Sequence, residues 1–474
     1  MFKTVSIQLE RDSVEPLYLQ LFNALRDAII SGALPHGQRL PSVRKLIQML
    51  HINNATVTHA FRLLLEENLV RSAPGSGYYV TYQRTATPVF EKPVITVQTR
   101  NLASTTPPKQ FFPAASFSAC INETLAQGAA EAFSYGETWG YYPLRETLSA
   151  LCQSSYGITA PPEQIMIVSG AQQGLDVIAR CLLRSGDTVL LENPCYNGAK
   201  LVFESRGAHS YGVPLTADGM DLEELERLLR LHHPKLLYVS PNYQTPTTIC
   251  YSQTNKKQLL TLAQQYNCTI VEEDSVSDIR FTGRRNVSLK SMDVQDNVVY
   301  IKSFSKILMP GVRSGFLIVP QTLVPQVSES KFTADVTSPG LFSRALHLFL
   351  TGGGLTHHLE TVLPRYQTLY TQALHALAGL EPLGVTYHKP DGGLAFWLSI
   401  PRDVGHIALY HKLLAQDIVT APGDLYTLSG ESCHLRLCYA ALPPEQFSLC
   451  IEQMAAAIRA LRQPGRSIVS PFIT

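Results

Sequence analysis

Apolar positions follow two different rhythms along this chain. Over residues 16–30, Leu17, Leu21, Leu25 and Ile29 recur at every fourth position, which predicts one amphipathic helix. Gly32 ends it, and Pro35 and Gly37 mark a loop. Pro41 opens a second helix, SVRKLIQML, at a position where its missing N–H costs nothing. After the break His51-Ile52-Asn53-Asn54 a third helix follows, ATVTHAFRLLLEE, with Asn53 or Asn54 as its cap. Two β-prone runs, 69–71 and 78–82, flank the turn Ala73-Pro74-Gly75-Ser76-Gly77. Residues 1–83 therefore read as one small unit of three helices and a hairpin.

Residues 84–108 lose the helical period, are rich in Thr, Pro and Val, and end in Thr106-Pro107-Pro108, so they read as a linker. From 109 to 466 helical stretches alternate with short apolar runs at 165–168, 188–191, 236–239, 269–271 and 298–301. That alternation predicts an α/β domain with a mainly parallel sheet.

Composition narrows the class. The chain has 474 residues, 45% of them hydrophobic and 16% charged, as in a globular protein with a large core. A net charge of +1 leaves room for a local basic footprint. Nine cysteines without paired spacing fit a reducing compartment, and no Cys/His group has metal spacing, so no metal is expected. No signal peptide and no membrane-spanning run are visible, which makes a cytoplasmic protein with no membrane partner the expectation.

The first 83 residues carry Leu40-Pro41-Ser42-Val43-Arg44, then Asn54-Ala55-Thr56-Val57-Thr58, then Gly75-Ser76-Gly77-Tyr78. This order resembles the GntR family of winged helix-turn-helix proteins, whose third helix enters the major groove of double-stranded DNA. The resemblance implies DNA contacts from Ser42, Arg44, Asn54, Thr56 and Thr58, and from Ser76 and Gly77 at the wing tip. An arginine is common in that family where Asn54 stands, which bears on base preference.

The second constellation is Ser303-Phe304-Ser305-Lys306 with Arg313 seven residues on, directly after an apolar run. An amine, two hydroxyls and a guanidinium suit a Schiff base and a phosphate dianion. The set resembles the fold-type I pyridoxal phosphate (PLP) aminotransferases in the form found in MocR-type regulators. That family has a large mainly parallel sheet with helices and a smaller α+β C-terminal part. The resemblance implies a Lys306 Schiff base and a phosphate turn at Gly170, Ala171 and Gln172. It implies that Tyr196 stacks on the ring, that Thr245 lies at the ring's phenolic oxygen, and that Arg436 and Tyr135 serve an amino acid or amine ligand. It also implies a homodimer.

Three positions depart from a working aminotransferase. Glu273 stands where an Asp usually faces the pyridine nitrogen, with Asp274 facing the other way. Ser275 and Val276 replace a tyrosine. Thr245 and Thr248 replace the Asn and Gly of Asn-Pro-Thr-Gly. The reading is thus a regulator that senses PLP or an amino acid or amine. An active aminotransferase carrying a DNA-binding domain is the alternative, and a scaffold without cofactor is a third.

Overall fold

The computed structural model describes residues 7, 9–11, 16–30, 32–67, 69–82, 95–96, 98–282, 287–428 and 432–462. The chain divides into two compact units, Met1–Val89 and Phe90–Thr474.

In the small unit, helix α1 (Leu17–Ile30) packs on α3 (Asn54–Glu66), and α2 (Val43–Leu50) packs on α3 as well. The stripe read from the sequence is the buried one: Leu21 and Leu25 lose all exposure, as do Phe22, Val57, Phe61 and Leu64. Ser42 caps α2 by accepting from the Lys45 N–H at 3.3 Å. Asn53, not Asn54, caps α3, accepting from the Thr56 N–H at 2.7 Å. Strands β1 (Val70–Ala73) and β2 (Gly77–Val80) pair antiparallel to form the wing. Gly75 and Gly77 sit at φ +71° and +109°, which only glycine adopts without cost. Phe61 stacks on Tyr78, with centroids 4.4 Å apart, and so ties the wing to α3.

The large unit is built on an eight-stranded sheet. Its members are β4 (Ile165–Val168), β5 (Thr188–Asn193), β6 (His209–Thr216), β7 (Gly219–Met220), β8 (Leu236–Val239), β9 (Thr269–Asp274), β10 (Val298–Ser303) and β11 (Gly315–Ile318). The order is β4-β11-β10-β9-β8-β5-β6-β7. The links from β10 through β9, β8 and β5 to β6 are parallel, and β11 runs antiparallel to both neighbours. The predicted α/β class with a mainly parallel sheet is observed. Strands β9 and β10 are covered on both faces, so they read as continuous apolar runs. Each extends past the apolar run seen in the sequence by polar residues, of which Glu273 and Ser303 line the cleft and Asp274 and Lys302 pair on the other face. Helices α4 (Ala114–Phe133), α5 (Tyr142–Leu151) and α6 (Ala171–Leu182) precede or follow β4. A second, four-stranded antiparallel sheet near the C-terminus contains the strands Ala395–Ser399 and His434–Cys438.

The linker reading needs correction at its end. Residues 83–94 lie outside the described residues, but Arg100–Asn101 is a short strand, β3, that pairs in parallel with Ile418–Val419. Leu102 is fully buried, and its carbonyl accepts from the Cys438 N–H at 2.8 Å. A two-residue strand is too short to leave a periodic signature, so composition alone spoke for a linker. Residues 463–466, at the predicted end of the domain, also lie outside the described residues.

Candidate cofactor cleft and nucleic-acid surface

A cleft of about 510 Å³ opens at the C-terminal ends of β8, β9 and β10, beside the start of α6. This is the end of a parallel sheet where α/β proteins place their ligands. The anion-facing end is built first by Gly170, which joins β4 to α6 at φ +96°. A Cβ there would stand 3.0 Å from the Arg313 guanidinium, so the position is kept bare. No side chain caps α6, which leaves the helix start, with Ala171 and Gln172, directed at the cleft. Ser303 ends β10, Ser305 follows, and Arg313 Nη1 reaches Ser305 Oγ at 3.4 Å while its other Nη holds the Ser169 carbonyl. These donors form one concave cationic corner, which suits a phosphate dianion.

Two lysines lie four residues apart and differ in state. Lys302 points to the far side of the sheet, where Asp278 is 2.6 Å away and Asp274 3.2 Å. Burial works against its charge, but the two carboxylates hold its pKa above the ordinary lysine range. Lys306 faces the cleft, and among the described residues no carboxylate forms an ion pair with it. Burial pushes its pKa down, aided by the Arg436 charge and opposed by Cys438 and Glu273. Its ammonium donates to the carbonyl (3.1 Å) and hydroxyl of Thr105. Of the two, Lys306 is the amine poised to act as a nucleophile.

Alternation along β9 separates Glu273 from Asp274. Glu273 lines the cleft and accepts from the Tyr238 hydroxyl at 2.6 Å and from Ser275 Oγ at 2.7 Å, while burial raises its pKa. Asp274 faces Lys302, Tyr300 and Ser277. Tyr196 forms one wall, its pKa pushed up to about 12 by burial. Gly198 is needed beneath it, because a Cβ would come within 2.4 Å of the Tyr196 ring. Thr245 lines the cleft through a cis bond to Pro246. The next turn puts Thr248 at φ +64°, a left-handed backbone that favours glycine. A β-branched residue in that region costs on the order of 1–3 kcal/mol. Gln244 anchors the loop by donating to Glu192 and to the Pro194 carbonyl, both at 2.8 Å, and burial raises Glu192 to about 7.

Arg436 closes the opposite end. It is 8% exposed, lies 5.2 Å over the Tyr426 ring and donates through Nη2 to the Ala103 carbonyl at 2.6 Å. Its buried Nε has no acceptor among the described residues. A buried guanidinium so placed asks for an anion.

Tyr135 is not brought to this cleft. It follows the end of α4 and is 89% exposed, because α4 carries it to the surface. The neighbouring signature serves packing. Arg145 pairs with Glu137 at 2.5 Å, and Gly140 leaves room for Ile167. Sequence reasoning missed Tyr238, Ser240, Gln244 and Thr105. A tyrosine inside an apolar strand gives no chemical signal, and Thr105 lies in a Thr- and Pro-rich stretch whose composition reads as linker.

In the small unit, Arg44 on α2 is exposed, and on the first turns of α3 Asn54 and Thr58 are exposed while Thr56 is half-buried. Asn54 Oδ1 accepts from Thr58 Oγ1 at 3.5 Å. Ser42 accepts as a cap, but its hydroxyl hydrogen can still be donated. At the wing, Ser76 Oγ lies 2.6 Å from the Tyr79 hydroxyl, and Gly77 packs near Arg39. Arg39 and Arg71 flank this surface, and Arg71 lies 5.3 Å over the Tyr79 ring; the sequence reading did not single them out.

Comparison with known proteins yields matches over both units. Residues 17–80 match the model of the bacterial regulatory proteins of the gntR family. The chain is 30% identical to a 2-aminoadipate transaminase of Thermus thermophilus, over 75% of this chain and 89% of the relative. It is 26% identical to a probable rhizopine catabolism regulatory protein, MocR, of Rhizobium meliloti, over 96% and 97% of the two chains. A kynurenine aminotransferase of Pyrococcus horikoshii, solved with PMP, superposes with a TM-score of 0.74 at 28% identity. That match covers 78% of this chain and 93% of the other.

Proposed function

Because the chain belongs to the family of gntR-type helix-turn-helix regulators that carry an aminotransferase-like domain, we propose that its cleft holds PLP on Lys306 and that an amino acid or amine entering the cleft alters DNA binding. The observation that carries this reading is the content of one cleft: the Lys306 amine, a cationic corner for a phosphate, and a buried Arg436 whose Nε has no acceptor among the described residues.

When bound, PLP supplies an aldehyde that joins an amine and a ring that draws electrons from the atoms so joined. The chain's own residues bind and orient it. The start of α6, Ser303, Ser305 and Arg313 would take the phosphate, and Tyr196 would lie against the ring face. Glu273, steadied by Tyr238 and Ser275, would serve the ring nitrogen, and Thr245 would serve the phenolic oxygen. Arg436 takes a ligand carboxylate through a two-point contact. Tyr135, exposed on its own subunit, would serve the cleft of a second copy in a homodimer. In the small unit the first turns of α3, with Ser42, Arg44 and the wing, lie on duplex DNA.

The transaminase relative supports a second reading, multiple turnover of an amino donor with a keto acid. The two separate in one assay. With PLP, an amino acid and excess keto acid, the sensor reading expects no more than one equivalent of product per chain. Sustained product over many equivalents would replace it with the enzyme reading. DNA binding has its own check. Arg44→Ala should weaken duplex binding across all sequences, with the salt slope reduced by about one. An unchanged affinity and slope, measured by anisotropy across a salt series, would remove Arg44 from the interface.

A further inference from the structure

The two cations proposed to receive cofactor and ligand are both engaged by one short stretch of the chain itself. Arg436 donates to the carbonyl of Ala103 at 2.6 Å, and Lys306 donates to the carbonyl and hydroxyl of Thr105. The stretch is held firmly at its start. The Arg100 N–H donates to Asp417 O and the Leu102 N–H to Val419 O, each at 2.8 Å. The Arg100 guanidinium donates to the Gln416 carbonyl at 2.7 Å and to Gln453. Leu102 is buried and its carbonyl is bound by Cys438 N–H. Beyond it the inventory thins. Among the described residues, the Ala103 N–H is bound only by Asn101 Oδ1 at 3.0 Å and the Thr106 N–H only by Ser104 Oγ at 3.2 Å. Residues 100–102 are thus an anchor, and 103–106 are held largely by local turns and by the two cations.

We propose that Ala103 and Thr105 are an internal occupant of the cleft, displaced in turn by cofactor and by ligand carboxylate. The segment therefore registers occupancy and lies directly after the stretch that joins the two units. The inference rests on the cofactor reading above.

Its chemistry follows from counting hydrogens. The Lys306 ammonium carries three N–H groups, and two of its contacts are to Thr105. Condensation with an aldehyde forms one C=N bond and releases the aldehyde oxygen as water, taking two of those hydrogens. The third stays on nitrogen or passes to solvent. At most one N–H remains, so both Thr105 contacts cannot persist. At Arg436, the end-on fork uses Nη1 with Nη2 and the side-on fork uses Nε with Nη2. Nη2 carries two hydrogens, one for each fork, so a carboxylate seated in the fork that shares its hydrogen takes the donor that Ala103 now uses. A backbone carbonyl offers a partial charge where a carboxylate offers a full one, so the ligand wins that exchange. The segment is therefore a weak stand-in, strong enough to satisfy buried cations and weak enough to yield.

The test is hydrogen exchange on the full-length protein, followed by mass spectrometry of peptides spanning 98–111, before and after adding PLP alone. Visible absorbance of the same samples reports whether the cofactor is attached. Exchange at 103–106 should rise about tenfold on attachment, while 100–102 stay protected. Thr105→Ala, which removes one competing contact, should tighten PLP binding roughly threefold or more. A normal absorbance change with unaltered exchange at 103–106, or with equal PLP affinity in Thr105→Ala, would overturn the displacement while leaving the cofactor in place. No absorbance change at all would overturn the cofactor reading, and this inference with it.

Discussion

Replacing Arg436 with alanine should weaken amino-acid binding to the PLP-loaded protein by roughly 30- to 4,000-fold, the range found when one member of a buried, hydrogen-bonded charge pair is truncated. Arg436 is nearly buried, lies in the middle of a strand paired with Ala395–Ser399, and has Trp397 opposite it. Its backbone is therefore fixed, and its position does not depend on ligand. The aliphatic stem is lost with the charge, so Arg436→Lys is the informative companion. It keeps the charge but not the planar fork, and should fall between wild type and alanine. PLP affinity should stay within a few-fold in both variants, because the phosphate corner lies at the other end of the cleft. The readout is the ligand-induced shift of the cofactor's visible absorbance in a titration. An alanine variant that binds amino acids within threefold of wild type would remove Arg436 from the ligand site.

Lys306→Ala should take covalently retained cofactor from about one per chain to none. Borohydride reduction of PLP-treated protein, followed by peptide mass mapping, should find the added mass on the Lys306 peptide of wild type and nowhere in the variant. The contrast with Lys302 underlies this expectation. Lys302 is as near in sequence as a substitute could be, but it is fully buried on the other side of the sheet between Asp274 and Asp278. Those carboxylates hold its proton, whereas Lys306 has its pKa lowered by burial. The phosphate corner survives the substitution, so loosely held PLP should still enter and wash out on desalting. An adduct of equal yield on Lys302 in the variant would show that the two lysines are not separated as described.

What could be read beforehand follows from how each feature is encoded. The three helices and wing were legible because Leu21, Leu25 and Ile29 mark one face and Gly75 and Gly77 mark one turn. The site motif was legible because Ser303, Ser305, Lys306 and Arg313 are close in sequence and are chemically distinctive. The alternation that turns Glu273 inward and Asp274 outward followed from strand geometry alone. Strand ends were not legible, because the residues that complete β9 and β10 are polar, some facing the cleft (Glu273, Ser303) and others paired on the far face (Asp274, Lys302). Tyr238 and Thr105 were not legible either, since each reaches Glu273 or Lys306 only through the tertiary fold. Asn53 and Asn54 are equivalent caps on paper, and only the backbone of Asn53, extended at ψ 165°, decides between them. The loop at Thr248 could be seen to have lost a glycine. Only the left-handed backbone says what that loss costs.

The central claim is that the large unit carries PLP on a lysine, and the visible absorption spectrum of the wild-type protein during a PLP titration tests it most directly. The account expects a new band that saturates at about one PLP per chain, survives desalting and shifts when a binding amino acid is added. A spectrum that remains the sum of protein and unbound PLP at every point would contradict it.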